Sequence, residues 1–134
     1  MRPVLLLLLI GAGVCPAGAP PDGLLPVSMV QLMANPEKYE GKLIGTEGFL
    51  MLGENPALYL HQEDADHALI MNALWVETTE GMRRHRDELH HKYVIVTGTF
   101  RMDHFGHHDY FKAGGITKIK SCSPWSPPPG FTDP

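Results

Sequence analysis

Eight histidines in 134 residues are the side chains here best suited to chemistry near neutral pH, because imidazole titrates at about 6.5 and its neutral form ligates transition metals. They are densest in Asp103-His104-Phe105-Gly106-His107-His108-Asp109-Tyr110. A loop turning at Gly106 would gather His104, His107, His108 and the Asp109 carboxylate around one ion, and zinc or copper is the ion such a donor set selects. A second group, His61, Asp64, Asp66 and His67, lies on another polar stretch. Against a metal site stands the spacing, which matches no established zinc signature: there is no cysteine pair and no His-Glu-x-x-His. Solvated loop histidines are the plainer alternative.

Aromatic side chains offer a different chemistry. Tyr59, His61 and Trp75 alternate with Leu58, Leu60, Leu74 and Val76, so they fall on the outer face of two strands whose other face is apolar. With Phe105 and Tyr110 from the His-rich loop they would form a stacking surface for a small molecule, a glycan or a peptide. The competing expectation is that the N-terminal helix, or the proline-rich tail with Trp125, covers them. No nucleophile elbow, phosphate-cradling glycine loop or Lys-Ser/Thr phosphate motif is present, so the chain is expected not to be an enzyme. Arg83-Arg84-His85-Arg86 reads as a solvated helix face balanced by Asp87 and Glu88. The methionines read as apolar filler.

The elements that must carry these residues follow from periodicity. Ser28 can cap a short helix bearing Met29, Val30, Leu32 and Met33, and Asn35-Pro36 restarts it, with the Asn side chain accepting from free N–H groups. From Lys42 to Leu52 the period changes to two, with Ile44, Thr46, Gly48 and Leu50 on one face. Gly53 to Pro56 is a turn, and Leu58 and Leu60 mark a second strand. Residues 61–67 read as a polar loop, and Leu74 and Val76 as a third strand. Met82 and Leu89 share one face of a short helix within 79–91. Tyr93 to Met102 is a fourth strand with Val94, Val96, Gly98 and Phe100 inward. After a loop from Asp103 to Gly115, Ile116 and Ile119 mark the fifth. The expected fold is therefore mainly β: a five-stranded OB-fold barrel with a short N-terminal helix and a short helix between strands three and four. Glycines at the bends of long strands suit a small closed barrel.

The ends and the composition set the context. Met1-Arg2-Pro3, an aliphatic run from Val4 to Ile10 and the small residues up to Ala19 have the layout of a secretory signal peptide, too short to span a bilayer. Residues 1–19 are the expected signal, 20–27 a linker, 28–123 the barrel domain and 124–134 a proline-rich tail that excludes central strand. The mature chain would then be periplasmic or secreted, with no transmembrane segment. Val14 before Cys15 argues against lipidation there, and Cys122 would be its only cysteine. A net charge of −4 argues against a nucleic-acid partner, since phosphate counterions are displaced by Lys and Arg.

Several separated blocks resemble one family. They are Asn35-Pro36-Glu37-Lys38-Tyr39-Glu40-Gly41-Lys42, Asn72-Ala73-Leu74-Trp75-Val76, Lys92-Tyr93-Val94-Ile95-Val96-Thr97-Gly98-Thr99-Phe100, Gly106-His107 and Pro124-Trp125. In this order they are similar to small exported bacterial OB-fold proteins grouped with the tRNA-anticodon-binding OB domains. The resemblance implies the fold and export; it implies no activity, because fold alone does not fix function.

Overall fold

The computed structural model describes residues 23–106, 111 and 113–131. The expected signal peptide lies outside them. Chain order begins locally. Ser28 Oγ accepts from the Gln31 N–H at 3.2 Å, while Gln31 Oε1 accepts from the Ser28 N–H at 3.0 Å. This reciprocal cap starts α1 (Met29–Ala34), which buries Met29 and Leu32. Pro36 opens α2 (Pro36–Tyr39) as expected, but the Asn35 side chain makes no capping bond. Its φ of −136° and ψ of 58° are not the extended cap conformation, and its backbone N–H closes α1 on Gln31 O instead.

The strands are β1 (Leu25–Pro26), β2 (Leu43–Met51), β3 (Ala57–Tyr59), β4 (Ala73–Val76), β5 (Lys92–Arg101) and β6 (Gly115–Pro124). Their order is β1-β2-β3-β4-β6-β5, and β5 pairs back onto β2. Strands β2 to β6 thus close a five-stranded barrel. Its pairs are antiparallel except β4 with β6, which run parallel. The helices α4 (Glu80–Arg84) and α5 (Arg86–Leu89) lie between the third and fourth barrel strands. The chain is mainly β, with a closed barrel, one extra strand and a few short helices.

The period-two pattern sorts the barrel interior. Ile44, Leu50, Leu58, Leu74, Val76, Val94, Val96, Phe100 and Ile116 are fully buried there, and Leu32, Met82 and Leu89 join them from the helices. Two glycines permit the close approaches. A Cβ on Gly48 would stand 2.7 Å from both the Leu58 side chain and the Tyr59 carbonyl oxygen, and one on Gly98 would stand 2.8 Å from Ile116 Cγ2 and the Thr117 carbonyl oxygen. No side chain fits in either place, because rigid backbone is the neighbour. Opposite Gly98 the β5–β6 register shifts, and Lys118 takes the left-handed φ of 49°, so β6 bulges there.

Four local expectations are corrected. Residues 61–67 are not a loop: α3 (Gln62–Asp66) forms because Asp64 Oδ2 accepts from the His61 N–H at 3.1 Å. The helix expected within 79–91 is two short helices meeting at His85. Leu25 and Pro26, assigned to the linker, pair in parallel with Ile44 and Gly45. Pro124, assigned to the tail, ends β6 opposite Val94; it sits where no ladder N–H is required. Among the described residues no helix is long and apolar enough to cross a membrane.

Candidate functional site

The outer face of β3 and β4 carries its own apolar cluster. Tyr59, Ala57 and Ala73 pack there with Phe49 and Phe111, flanked by Met51, Ala65, Ile70 and Trp75. Tyr59 is only 8% exposed and Phe111 only 1%. The expected open stacking surface is thus closed at Tyr59. Among the described residues the cover is Phe111, from between β5 and β6, together with Phe49 and Ala65 of α3. The Phe111 N–H donates to the Phe105 carbonyl oxygen at 2.9 Å, which ties Phe111 to the backbone at Phe105.

Trp75 sits at the edge of this cover. It is half-buried, and its ring centroid is 5.4 Å from that of His104, tilted by 36°. Gly106 crosses the indole with φ +75°, and a Cβ there would be 2.6 Å from Trp75 Cδ1. Both facts demand glycine: the left-handed backbone and the contact. The buried Trp75 Nε1 has no hydrogen-bond acceptor among the described residues.

On its other flank Trp75 lines a cavity of about 660 Å³. The wall continues through Leu52, Pro56 and Thr78, with Glu54, Glu77, Arg83 and Arg86 as its charged members. Their electrostatics differ. Arg83 is held by Glu80, with Nη2 at 3.1 Å, and donates to the Thr78 carbonyl. Glu77 accepts from the Lys118 N–H at 2.6 Å. Arg86 donates to the Leu52 carbonyl at 2.8 Å and has no carboxylate partner among the described residues. The expected balance of the arginine run by Asp87 and Glu88 is replaced by Glu80, which reaches both Arg83 and Arg84, while Glu88 meets His85.

The turn that forms the cavity's rim is clamped from α5. Leu52 donates its N–H to His90 Nδ1 at 2.9 Å and offers its carbonyl to Arg86. An imidazole that accepts must be neutral at that nitrogen. Burial, then the Arg86 charge, then His91 push the His90 pKa below the ordinary histidine value. His91 stacks edge-on against Phe49 at 5.0 Å and approaches Asp66 at 3.7 Å.

The sequence-selected residues therefore separate. Trp75, His104, Phe105 and Gly106 come together. His61 lies past Tyr59, at the opposite end of β3 from the Ala57–Trp75 pair, exposed and 3.5 Å from Asp64 Oδ2. His107, His108, Asp109 and Tyr110 fall outside the described residues. Among those described, no three His, Cys, Asp or Glu side chains are grouped to hold a metal, and His104 is engaged with Trp75. Arg86 and Glu54 were not singled out by spacing; the only signal for the arginine was the run at 83–86. No family model matches the chain, and searches of curated proteins and of solved structures found no similar protein.

Proposed function

We infer that this is an exported, non-catalytic OB-fold binding module, whose ligand occupies the cavity beside Trp75 as a sugar ring or a small molecule of similar size and polarity. The observation that carries the reading is a half-buried indole in the wall of a cavity that Arg86 and Glu54 also line. An aromatic plane favours the C–H face of a ring, and charged rims hydrogen-bond its hydroxyls.

The strand order, the parallel β4–β6 pair and the helices between β4 and β5 support the OB assignment. The leucine run ahead of small residues supports export. The test is fluorescence titration of a Trp125→Phe protein, in which Trp75 is the remaining indole, with a panel of mono- and oligosaccharides. The expected result is a saturable change for one class, lost in Trp75→Ala and weakened at least tenfold in Glu54→Gln. No response at millimolar sugar, or affinity that survives Trp75→Ala, overturns the reading. Stoichiometric zinc or copper in the purified protein, lost in His104→Ala/His107→Ala/His108→Ala, would replace it with a metal-binding one.

A further inference from the structure

The bend between β2 and β3 is fixed at its two ends and free between them. Gly53, Glu54 and Asn55 are exposed and make no hydrogen bond among the described residues. At the far end the Pro56 carbonyl accepts from the Val76 N–H at 3.1 Å, a backbone bond indifferent to pH. At the near end both polar groups of Leu52 are held by side chains: its N–H by His90 Nδ1 at 2.9 Å and its carbonyl by Arg86 Nη2 at 2.8 Å.

Those two side chains act as a unit. Arg86 opens α5 and His90 caps it, so they stand one turn apart on one helix face. Imidazole accepts at Nδ1 only while that nitrogen carries no proton. A proton there sets a donor against the Leu52 N–H. It also sets a cation beside Arg86, the other half of the clamp. Loss of the first bond therefore strains the second.

The remaining ionisable groups about His90 are few. His91 follows it, with Asp66 of α3 3.7 Å beyond. Asp87 and Glu88 share α5, and Glu88 is turned to His85. Lys92 starts β5, and Glu54 is the carboxylate of the bend. Burial, Arg86 and His91 all lower the His90 pKa, so the clamp is closed at neutral pH and opens in acid.

What the clamp holds is a wall. Leu52, Gly53, Glu54 and Pro56 line the Trp75 cavity, and Arg86 lines it with them.

We propose that His90 is a proton-operated latch on that cavity: protonation frees Leu52, the bend at 53–55 leaves the cavity wall, and a ligand held there is released in mildly acidic surroundings. The opening of the bend stands on the clamp alone; the release of ligand rests on the binding reading above. By reciprocity, a bound ligand makes His90 harder to protonate.

The test is amide hydrogen exchange by NMR on the ligand-free chain at pH 8 and pH 5, each rate divided by that of an unstructured peptide at the same pH. Leu52 is expected to lose at least tenfold of its protection in acid while Val94 and Val96 keep theirs, with a midpoint equal to that of the His90 imidazole signals. In His90→Asn an amide oxygen can accept where Nδ1 does and cannot titrate, so Leu52 should stay protected at both pH values. In His90→Phe it should be unprotected at both. Unchanged Leu52 protection in the unaltered chain, a midpoint that departs from that of His90, parallel loss at Val94 and Val96, or loss that persists in His90→Asn overturns the latch; all but the last need no variant to fold. A saccharide that binds beside Trp75 is expected to bind at least tenfold more weakly at pH 5 than at pH 8, and equally at both in His90→Asn. Affinity independent of pH in the unaltered chain overturns the release. If no saccharide binds, the cavity reading falls while the exchange measurement still decides the latch.

Discussion

The two faces of β3 and β4 are built from the same two short strands, of 3 and 4 residues, and behave differently. Inward, Leu58, Leu74 and Val76 are fully buried among residues from every barrel strand and from the helices. Outward, Tyr59 and Ala73 are buried as well, but among the described residues their cover comes from Phe111, Phe49 and Ala65 of α3. The first face is a core that the barrel cannot exist without. The second is a roof, and where the roof stops, at Trp75, a cavity begins. Burial alone does not separate the two; what separates them is how many elements would have to move to expose each one.

Breaking the inner face should give the largest effect. Leu74→Ala removes a side chain enclosed on all sides, and a loss of about 2–5 kcal/mol is expected by urea denaturation. Phe111→Ala strips the roof and should cost less, about 1.5–3 kcal/mol for a fully buried ring covering one face. It should also raise the accessibility of Tyr59 to tetranitromethane while the far-ultraviolet spectrum stays the same. An equal or larger loss than for Leu74→Ala would mean that the roof is part of the core. Gly106→Ala forces a side chain into a left-handed backbone against the indole, and about 1–2 kcal/mol is expected. Its diagnostic is a shift in Trp75 emission in the Trp125→Phe background.

The smallest effect concerns pH. The folded protein holds His90 below its ordinary pKa, because burial and the neighbouring Arg86 disfavour the charged form. The unfolded chain therefore binds the proton more readily. The stability from this group is full above the unfolded value of about 6.5 and is lost as pH falls through the folded one. Protonation also removes the acceptor for the Leu52 N–H. Urea midpoints measured from pH 8 to pH 5 should fall, and His90→Phe should flatten part of that slope by losing the clamp at every pH. An unchanged slope in the variant would show that other histidines carry the pH dependence. The thiol of Cys122, pushed up to about 11 by burial, should react slowly with maleimide at pH 8.

Much of the barrel was legible from local pattern. The inward residues of β2 and β5 alternate without a break, and Ser28 with Gln31 marks the start of α1. Less was legible at the site. Trp75 and Tyr59 both fall on the outer face of their strands by alternation, but what covers Tyr59 could not be read that way, because a period of two distinguishes faces and says nothing of what crosses them. Phe111, the residue next after the His-rich stretch, carries no periodic signal of its own and is not singled out by spacing. Arg86 is exposed, as a solvated helix face implies, but its bond to the Leu52 carbonyl was not legible because that acceptor is 34 residues away.

Sequence by itself determined the five barrel strands and their inward faces, since steric period is a local property of the chain. Tertiary structure alone decided which outer face is roofed, that Leu52 is held by His90 and Arg86, and that β6 outruns β4 to leave an edge. Those features depend on where strands of unequal length end when the sheet closes on itself, and no spacing along a single segment encodes that meeting.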